Sequence, residues 1–169
     1  MRAALADNPH ALSAPANTDV NEIFDDIPYE LGPWMLRMVE SQLGREKFDP
    51  VLKDWFATHR QTAVTTKDFV DFVKAKTGHD FTKFFAEWNQ ITSVPRLESD
   101  VSVSGKGAKV SLQGQKLPGD LAIPLVLEGD GGKSKTVMVK PGDKLTVDAG
   151  FEVKRTHWDP NRTVLADIR

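Results

Sequence analysis

The hydrophobic positions in the first 94 residues recur with the spacing of α-helices. One apolar stretch predicts a helix over residues 32–43, with Pro33 in its first turn and Gly44 as its C-terminal cap. Three later stretches place apolar side chains at i, i+3 and i+4 intervals, which predicts one buried face for each. Their members are Phe48, Val51, Leu52, Trp55 and Phe56; Phe69, Phe72 and Val73; and Phe81, Phe84, Phe85 and Trp88. We expect these aromatic stripes to form a core rather than a cofactor site.

Cap residues predict where the later helices begin and end. Thr65 and Asp68 have the spacing of a capping box, with aspartate in place of the usual glutamate. Gly78 predicts the end of that helix, and Asp80 is placed to cap the last one. The first part of the chain is therefore predicted to be a portion of a helical bundle.

After Pro95, apolar and polar residues alternate with a period of two residues, which is typical of half-buried strands. The alternation predicts seven short strands at residues 101–104, 109–112, 123–127, 135–139, 145–147, 152–156 and 164–168. Glycine- and proline-rich turns separate them, as in a small antiparallel β-sandwich. The predicted fold class is α+β in two segments, a helical domain over residues 1–94 and a β-sandwich domain over residues 95–169.

Composition narrows the class of protein without naming one. The 169 residues are 40% hydrophobic and 27% charged, which is ordinary for a globular protein. A net charge of −2 argues against nucleic acid as a partner. The absence of cysteine excludes disulfides and thiolate metal sites. We expect a soluble chain without signal peptide or membrane segment, and the compartment stays open.

The histidines and acidic residues do not predict a metal site. No two of the four histidines (His10, His59, His79 and His157) have the i, i+4 spacing of a His-Glu-x-x-His zinc helix, so surface or capping roles are expected. An acidic cluster, made of Glu22, Asp25, Asp26 and Glu30, has the residue types to contact a substrate amine or to supply oxygen ligands. We favour a solvated cluster that stabilises the positive end of the following helix.

Two other segments invite a chemical interpretation. Residues 129–134 resemble a phosphate-binding loop but lack its spacing and lie between strands, so a hairpin turn is expected. Tyr29, the only tyrosine, precedes the predicted helix at 32–43, and a phenol there has the chemistry to donate a hydrogen bond to a developing oxyanion. A lone tyrosine beside a helix start is more often structural.

Taken in order, these segments resemble the gluzincin aminopeptidases, the aminopeptidase N and leukotriene hydrolase family. Residues 29–32 resemble that family's Tyr-Glu-Lys-Gly segment, with Leu31 in place of the lysine. Residues 65–69 are similar to its Thr-Thr-x-Asp-Phe, and residues 78–88 to its Gly-x-Asp-Leu followed by Phe-Phe-x-x-Trp. Residues 110–115 and 157–165 resemble its β-sandwich. The resemblance covers nearly the whole chain.

The resemblance implies a role for Tyr29 and a catalytic zinc ion in the complete enzyme. In the family the matching tyrosine stabilises the tetrahedral intermediate of peptide hydrolysis beside a catalytic zinc. The family's zinc histidines, catalytic glutamate and Gly-x-Met-Glu-Asn loop have no counterpart in this sequence. We therefore expect the C-terminal portion of a zinc aminopeptidase, with Met1 inside or near a helix of the parent enzyme. The isolated chain is expected to bind no zinc and to cleave no peptide.

Two other interpretations stay open. One is a non-catalytic interaction module, and the other is half of a split aminopeptidase that acts with a partner chain. The expected partners are a peptide substrate in the complete enzyme and the missing catalytic segment, with no nucleic acid and no membrane. Without that segment, exposed apolar side chains should promote self-association or be covered by a rearranged N-terminal segment. Residue preference, physiological substrate and oligomeric state do not follow from the sequence.

Overall fold

The helices lie in the first part of the chain and the strands in the second, which is the predicted fold class. A computed structural model describes residues 10–13, 18–19, 21 and 25–169, and it divides into the units Met1–Ser93 and Val94–Arg169. Between residues 25 and 93 the helices are α1 (Asp26–Leu43), α2 (Arg45–Thr58), α3 (Thr66–Thr77) and α4 (Thr82–Trp88). The strands are β1 (Arg96–Ser104), β2 (Gly107–Gly114), β3 (Ile123–Glu128), β4 (Ser134–Val139), β5 (Lys144–Asp148), β6 (Arg155–Trp158) and β7 (Asp167–Ile168).

Helix α1 begins six residues before its predicted start, so the prediction that Tyr29 precedes the helix is wrong. The carboxylate of Asp25 accepts a hydrogen bond from the Ile27 N–H at 2.8 Å and supplies the N-cap. Pro33 is consequently the eighth residue of the helix rather than a first-turn residue. A proline in the helix interior has no N–H to donate to the carbonyl four residues earlier. For Pro33 that carbonyl is the one of Tyr29.

The other helix boundaries agree closely with the cap residues. The Thr65 hydroxyl accepts the Asp68 N–H at 3.2 Å, and the Asp68 carboxylate accepts the Thr65 N–H at 2.8 Å, which confirms the capping box. Gly44 ends α1 at a φ of 80°, a value that favours glycine, and Gly78 ends α3. Asp80 lies one position before the N-cap of α4, but its carboxylate still accepts the Thr82 N–H at 2.9 Å.

Most of the predicted aromatic stripes form the core of the helical unit. Trp55 contacts Phe69 edge to face with ring centroids 5.2 Å apart, and Phe69 contacts Phe85 in the same way at 5.9 Å. Phe84 continues the chain of rings to Phe85 at 5.2 Å. Phe56 is the exception, because its side chain is 68% exposed where the helical spacing predicted burial.

The strands form two sheets, with the orders β5-β2-β1-β7 and β4-β3-β6. Alternate residues of β2 and β3 are buried, so each sheet turns one face to an aliphatic core. A two-residue hairpin joins β1 to β2, and its first loop residue, Gly105, has the positive φ of 58° that such turns require. The second part of the chain is thus a β-sandwich, as the alternation predicts.

The last two strands depart from the predicted sandwich in position and direction. Strand β6 begins three residues later than predicted. Val153 donates its N–H to the Gly105 carbonyl at 2.9 Å, so it does not pair within the sheet. Strand β7 is two residues long and pairs in parallel with β1, whereas the prediction was wholly antiparallel. The chain reaches β7 from β6 in the other sheet, so no hairpin forces the antiparallel direction.

Candidate functional site

Tyr29 lies in the first turns of α1 with its side chain 64% exposed. The buried face of the helix carries Ile27, Leu31 and Met35, which follow one another at helical spacing. Tyr29 instead shares a face with residues three, four and seven positions later, at Gly32, Pro33 and Leu36. The phenol is therefore directed away from the core of its own unit.

The face that carries Tyr29 borders an apolar groove. This groove has a volume of ≈ 470 Å³. It is lined by Leu12, Gly32, Pro33, Met35, Leu36, Leu52, Trp55, Phe56, Val64, Thr65, Thr66, Phe69, Phe85 and Asn89. Sequence patterns could not reveal it, because its walls come from different helices and its most exposed member, Phe56, was expected in the core. We call it the α1–α3 groove below.

A short N-terminal segment is held against the same unit. His10 donates from Nε2 to the Asp25 carboxylate at 2.9 Å and from Nδ1 to the Ala11 carbonyl at 2.8 Å. Ser13 donates its N–H to the Asn89 carbonyl at 3.1 Å. The Ala11 carbonyl and then the Asp25 carboxylate raise the pKa of His10, because two ring donors are available only in the protonated form.

Two members of the predicted acidic cluster serve the helix start, as the sequence predicts. Asp25 caps α1, and Asp26 lies in the first turn, where a negative charge is favoured. Of the two remaining predicted members, Glu22 lies outside the described residues, and Glu30 is a half-buried residue in the second turn of α1. The cluster therefore stabilises the end of the helix that carries Tyr29.

The three other histidines have structural roles of the expected kind. The His59 ring packs against the Trp55 ring with centroids 3.8 Å apart and planes tilted by 34°, and its Nδ1 bonds to the Trp55 carbonyl at 3.1 Å. His79 lies against the Thr77 carbonyl near the end of α3. His157 lies 3.6 Å from the Glu128 carboxylate on the neighbouring strand.

The described residues do not fit a metal ion. Across residues 10–13, 18–19, 21 and 25–169, no three histidine, aspartate or glutamate side chains come together in a way that could hold one. Within the same ranges, no helix is both long enough and apolar enough to cross a membrane. Residues 129–134 join β3 to β4, where Gly129 donates to the Lys133 carbonyl at 2.9 Å, so the predicted hairpin connection is confirmed.

Comparison with known families decides the class of the chain. The sequence model of the peptidase family M1 domain matches residues 2–88, which include Tyr29 and the helices around the groove. This chain belongs to peptidase family M1. Members of this metallopeptidase family are hydrolases and are typically zinc-dependent, and the family includes the aminopeptidase N type that the sequence resembles.

Individual M1 relatives resemble both units of the chain. Probable aminopeptidase 2 of Sulfurisphaera tokodaii is 28% identical over 152 residues, which cover 86% of this chain and 19% of that protein. Leucyl aminopeptidase of Saccharolobus solfataricus is 27% identical over 150 residues, with the same coverage of 86% and 19%. The chain thus spans about a fifth of the length of these curated relatives.

A solved structure has the same fold over almost the entire chain. The structure of Legionella pneumophila aminopeptidase A in complex with aspartic acid superposes with a TM-score of 0.74 and 17% sequence identity. The superposition covers 96% of this chain and 20% of that one. The arrangement of helices followed by a sandwich therefore occurs within a much longer aminopeptidase.

Proposed function

We propose that this chain is the C-terminal portion of a zinc-dependent aminopeptidase, the part that follows the metal site. The match of the M1 domain family to the helical unit carries the proposal, because that unit holds Tyr29 on an exposed helix face. Aminopeptidase relatives that extend over both units support it. The substrate class is a peptide from which the complete enzyme removes N-terminal residues.

The proposed contribution of this chain to the chemistry is one hydrogen-bond donor. Attack on a peptide carbonyl places negative charge on its oxygen, and a neutral phenol O–H stabilises that charge without gaining or losing a full charge itself. Tyr29 supplies this donor from the start of a helix that is fixed by the Asp25 cap. Its 64% exposure leaves the ring accessible to a substrate held by another part of the enzyme.

The zinc belongs to the complete enzyme, because the described residues provide no ligand set for it. The isolated chain is accordingly proposed to be inactive. Purified chain that bound zinc stoichiometrically and hydrolysed an aminoacyl anilide would overturn this part of the proposal.

The gene context tests the proposal as a whole. A reading frame that continues upstream of the Met1 codon into a His-Glu-x-x-His segment is the expected result. A stop codon there, together with a neighbouring gene that carries the motif, would support a split aminopeptidase in which this chain completes a partner. A stop codon without such a gene would contradict the catalytic role and favour a non-catalytic interaction module.

A further inference from the structure

The first turn of α1 depends on its flanking residues more than an ordinary helix start does. The first intrahelical hydrogen bond of α1 runs from the Tyr29 N–H to the carbonyl of its N-cap residue, Asp25. Pro28 has no N–H, and Pro33 has none to donate back to the first turn. The position of Tyr29 therefore depends on how firmly Asp25 is held.

The two carboxylate oxygens of Asp25 have different partners. Oδ1 accepts the Ile27 N–H at 2.8 Å, and Oδ2 accepts from Nε2 of His10 at 2.9 Å. The other ring nitrogen of His10 donates to the Ala11 carbonyl at 2.8 Å, so the imidazole is held on both sides. The His10 and Asp25 side chains are 23% and 28% exposed, so water competes only in part for their hydrogen bond.

The segment that carries His10 is itself anchored to the helical unit. Ser13 donates its N–H to the carbonyl of Asn89, the residue that follows α4, at 3.1 Å. Between these two anchors, Leu12 lines the α1–α3 groove together with Gly32 of α1. The segment thus links the start of α1 to the end of α4, and His10 transmits this link to the N-cap.

We propose that His10 is a positioning residue for Tyr29, because its hydrogen bond to Asp25 holds the first turn of α1 in place. This inference rests on the proposed function and deepens it, since His10 acts through Asp25 rather than on the substrate. A donor stabilises an oxyanion only when it already points at the position of the developing charge. A first turn that opens removes the phenol from that position.

The size of the expected effect follows from the strength of one hydrogen bond. Helix ends open at almost no cost in free energy, so the first turn lies close to balance between its closed and open forms. Loss of a hydrogen bond between charged groups shifts such an equilibrium about tenfold. Near balance, this shift raises the open fraction and lowers the closed fraction by about threefold each.

A single backbone amide reports the opening of the first turn in the isolated chain. Tyr29 is the only tyrosine, so isotopically labelled tyrosine gives one backbone N–H signal that needs no assignment. Its exchange rate with deuterium is measured below the ordinary histidine pKa of about 6.5, where His10 is protonated. Exchange should be about threefold faster in His10→Ala than in the unchanged chain. In His10→Gln, whose amide keeps a donor without the charge, the rate should be intermediate.

His79→Ala is the matched control for this measurement. The His79 ring also bonds to a backbone carbonyl, that of Thr77, but it lies near the end of α3. Its loss should leave the exchange of the Tyr29 N–H unchanged, and circular dichroism checks that each variant is folded. Equal rates for His10→Ala and His79→Ala overturn the proposal. A Tyr29 N–H that already exchanges as fast as in an unfolded peptide overturns it as well.

Turnover tests whether His10 acts through the phenol. The enzyme is a chimera in which this chain replaces the matching region of the Sulfurisphaera tokodaii protein, with an aminoacyl anilide as substrate. His10→Ala should lower kcat by about threefold with little change in KM. In a Tyr29→Phe background the same substitution should leave kcat unchanged, because the hydroxyl that His10 positions is gone. An equal loss of kcat in both backgrounds would show a general structural role and overturn the proposal.

The two proposals fail in different ways. An unchanged kcat for Tyr29→Phe contradicts the proposed function, whatever the exchange rates are. A large loss of kcat in Tyr29→Phe, together with unchanged exchange and unchanged kcat in His10→Ala, keeps the proposed function and overturns only the role of His10.

Discussion

The helical unit and the β-sandwich unit bury their hydrophobic residues differently. In the helical unit, rings of Trp55, Phe69 and Phe85 contact one another edge to face, and the core opens into a groove. In the sandwich unit, the buried core residues are all aliphatic, and the large exposed apolar side chains are Val103 and Met138. The exposed apolar groove thus lies in the same unit that matches the M1 domain.

This difference supports the proposal that the helical unit is one portion of a larger enzyme. A sandwich closes its core between its own two sheets, so it needs no additional layer. A helix with apolar residues beyond its buried face needs one more element to cover them. The helical unit therefore resembles a part of a larger domain, whereas the sandwich resembles a complete domain.

Truncation of core residues gives the largest expected effects on stability. Phe84→Ala should lower the free energy of unfolding by about 3–5 kcal/mol, because it leaves a cavity among Phe81, Phe85 and Trp88. Leu125→Ala, at a fully buried position on the central strand β3, should cost about 2–5 kcal/mol. Urea unfolding followed by circular dichroism measures both. A cost below about 1 kcal/mol for Phe84→Ala would show that the helical core is loosely packed.

Loss of the capping box should have a smaller effect. Thr65→Ala removes the hydroxyl that accepts the Asp68 N–H, and the expected cost is about 1 kcal/mol by the same unfolding measurement. Thr65→Ser keeps the hydroxyl and is the control. Equal stability of the two variants would contradict a stabilising role for the Thr65 hydroxyl.

The smallest expected effect is a dependence of stability on pH. The pKa of His10 is raised in the folded chain above its ordinary value of about 6.5. Protonated His10 therefore stabilises the fold fully below about pH 6.5, and this contribution is lost as the pH rises through the raised pKa. Comparison with His10→Gln isolates it, because the stability difference between the two proteins should shrink with increasing pH. A difference that is constant from pH 5 to pH 9 would contradict this assignment.

Local signals were sufficient for most of the secondary structure. The capping box at Thr65 and the turn at Gly105 depend on neighbouring residues alone, so the sequence predicts them well. The start of α1 was wrong because Pro33 is usually a first-turn residue and here lies in the helix interior. Strand β7 was predicted too long, because the Asp159 carboxylate holds the Val164 N–H at 2.9 Å outside the sheet.

The candidate site was only partly predictable. Tyr29 was identified through its neighbours in the sequence, but its position on the face of α1 that borders the groove follows from the helix starting at Asp26. The groove depends on residues brought together from separate helices, and the helical pattern that predicts burial of Phe56 cannot tell whether a partner element is present. An amphipathic pattern indicates which face is covered in the complete protein and not which part of that protein covers it.

The most direct test of the catalytic role is the turnover of a Tyr29→Phe variant of the complete enzyme, in which this chain is joined to a zinc-bearing M1 segment. The substitution keeps the ring and removes only the hydroxyl, so the fold and the groove should be unchanged. With an aminoacyl anilide as substrate, kcat should fall by about 10²–10³ with little change in KM, because the lost donor acts in the transition state. An unchanged kcat would contradict the account and remove Tyr29 from the reaction.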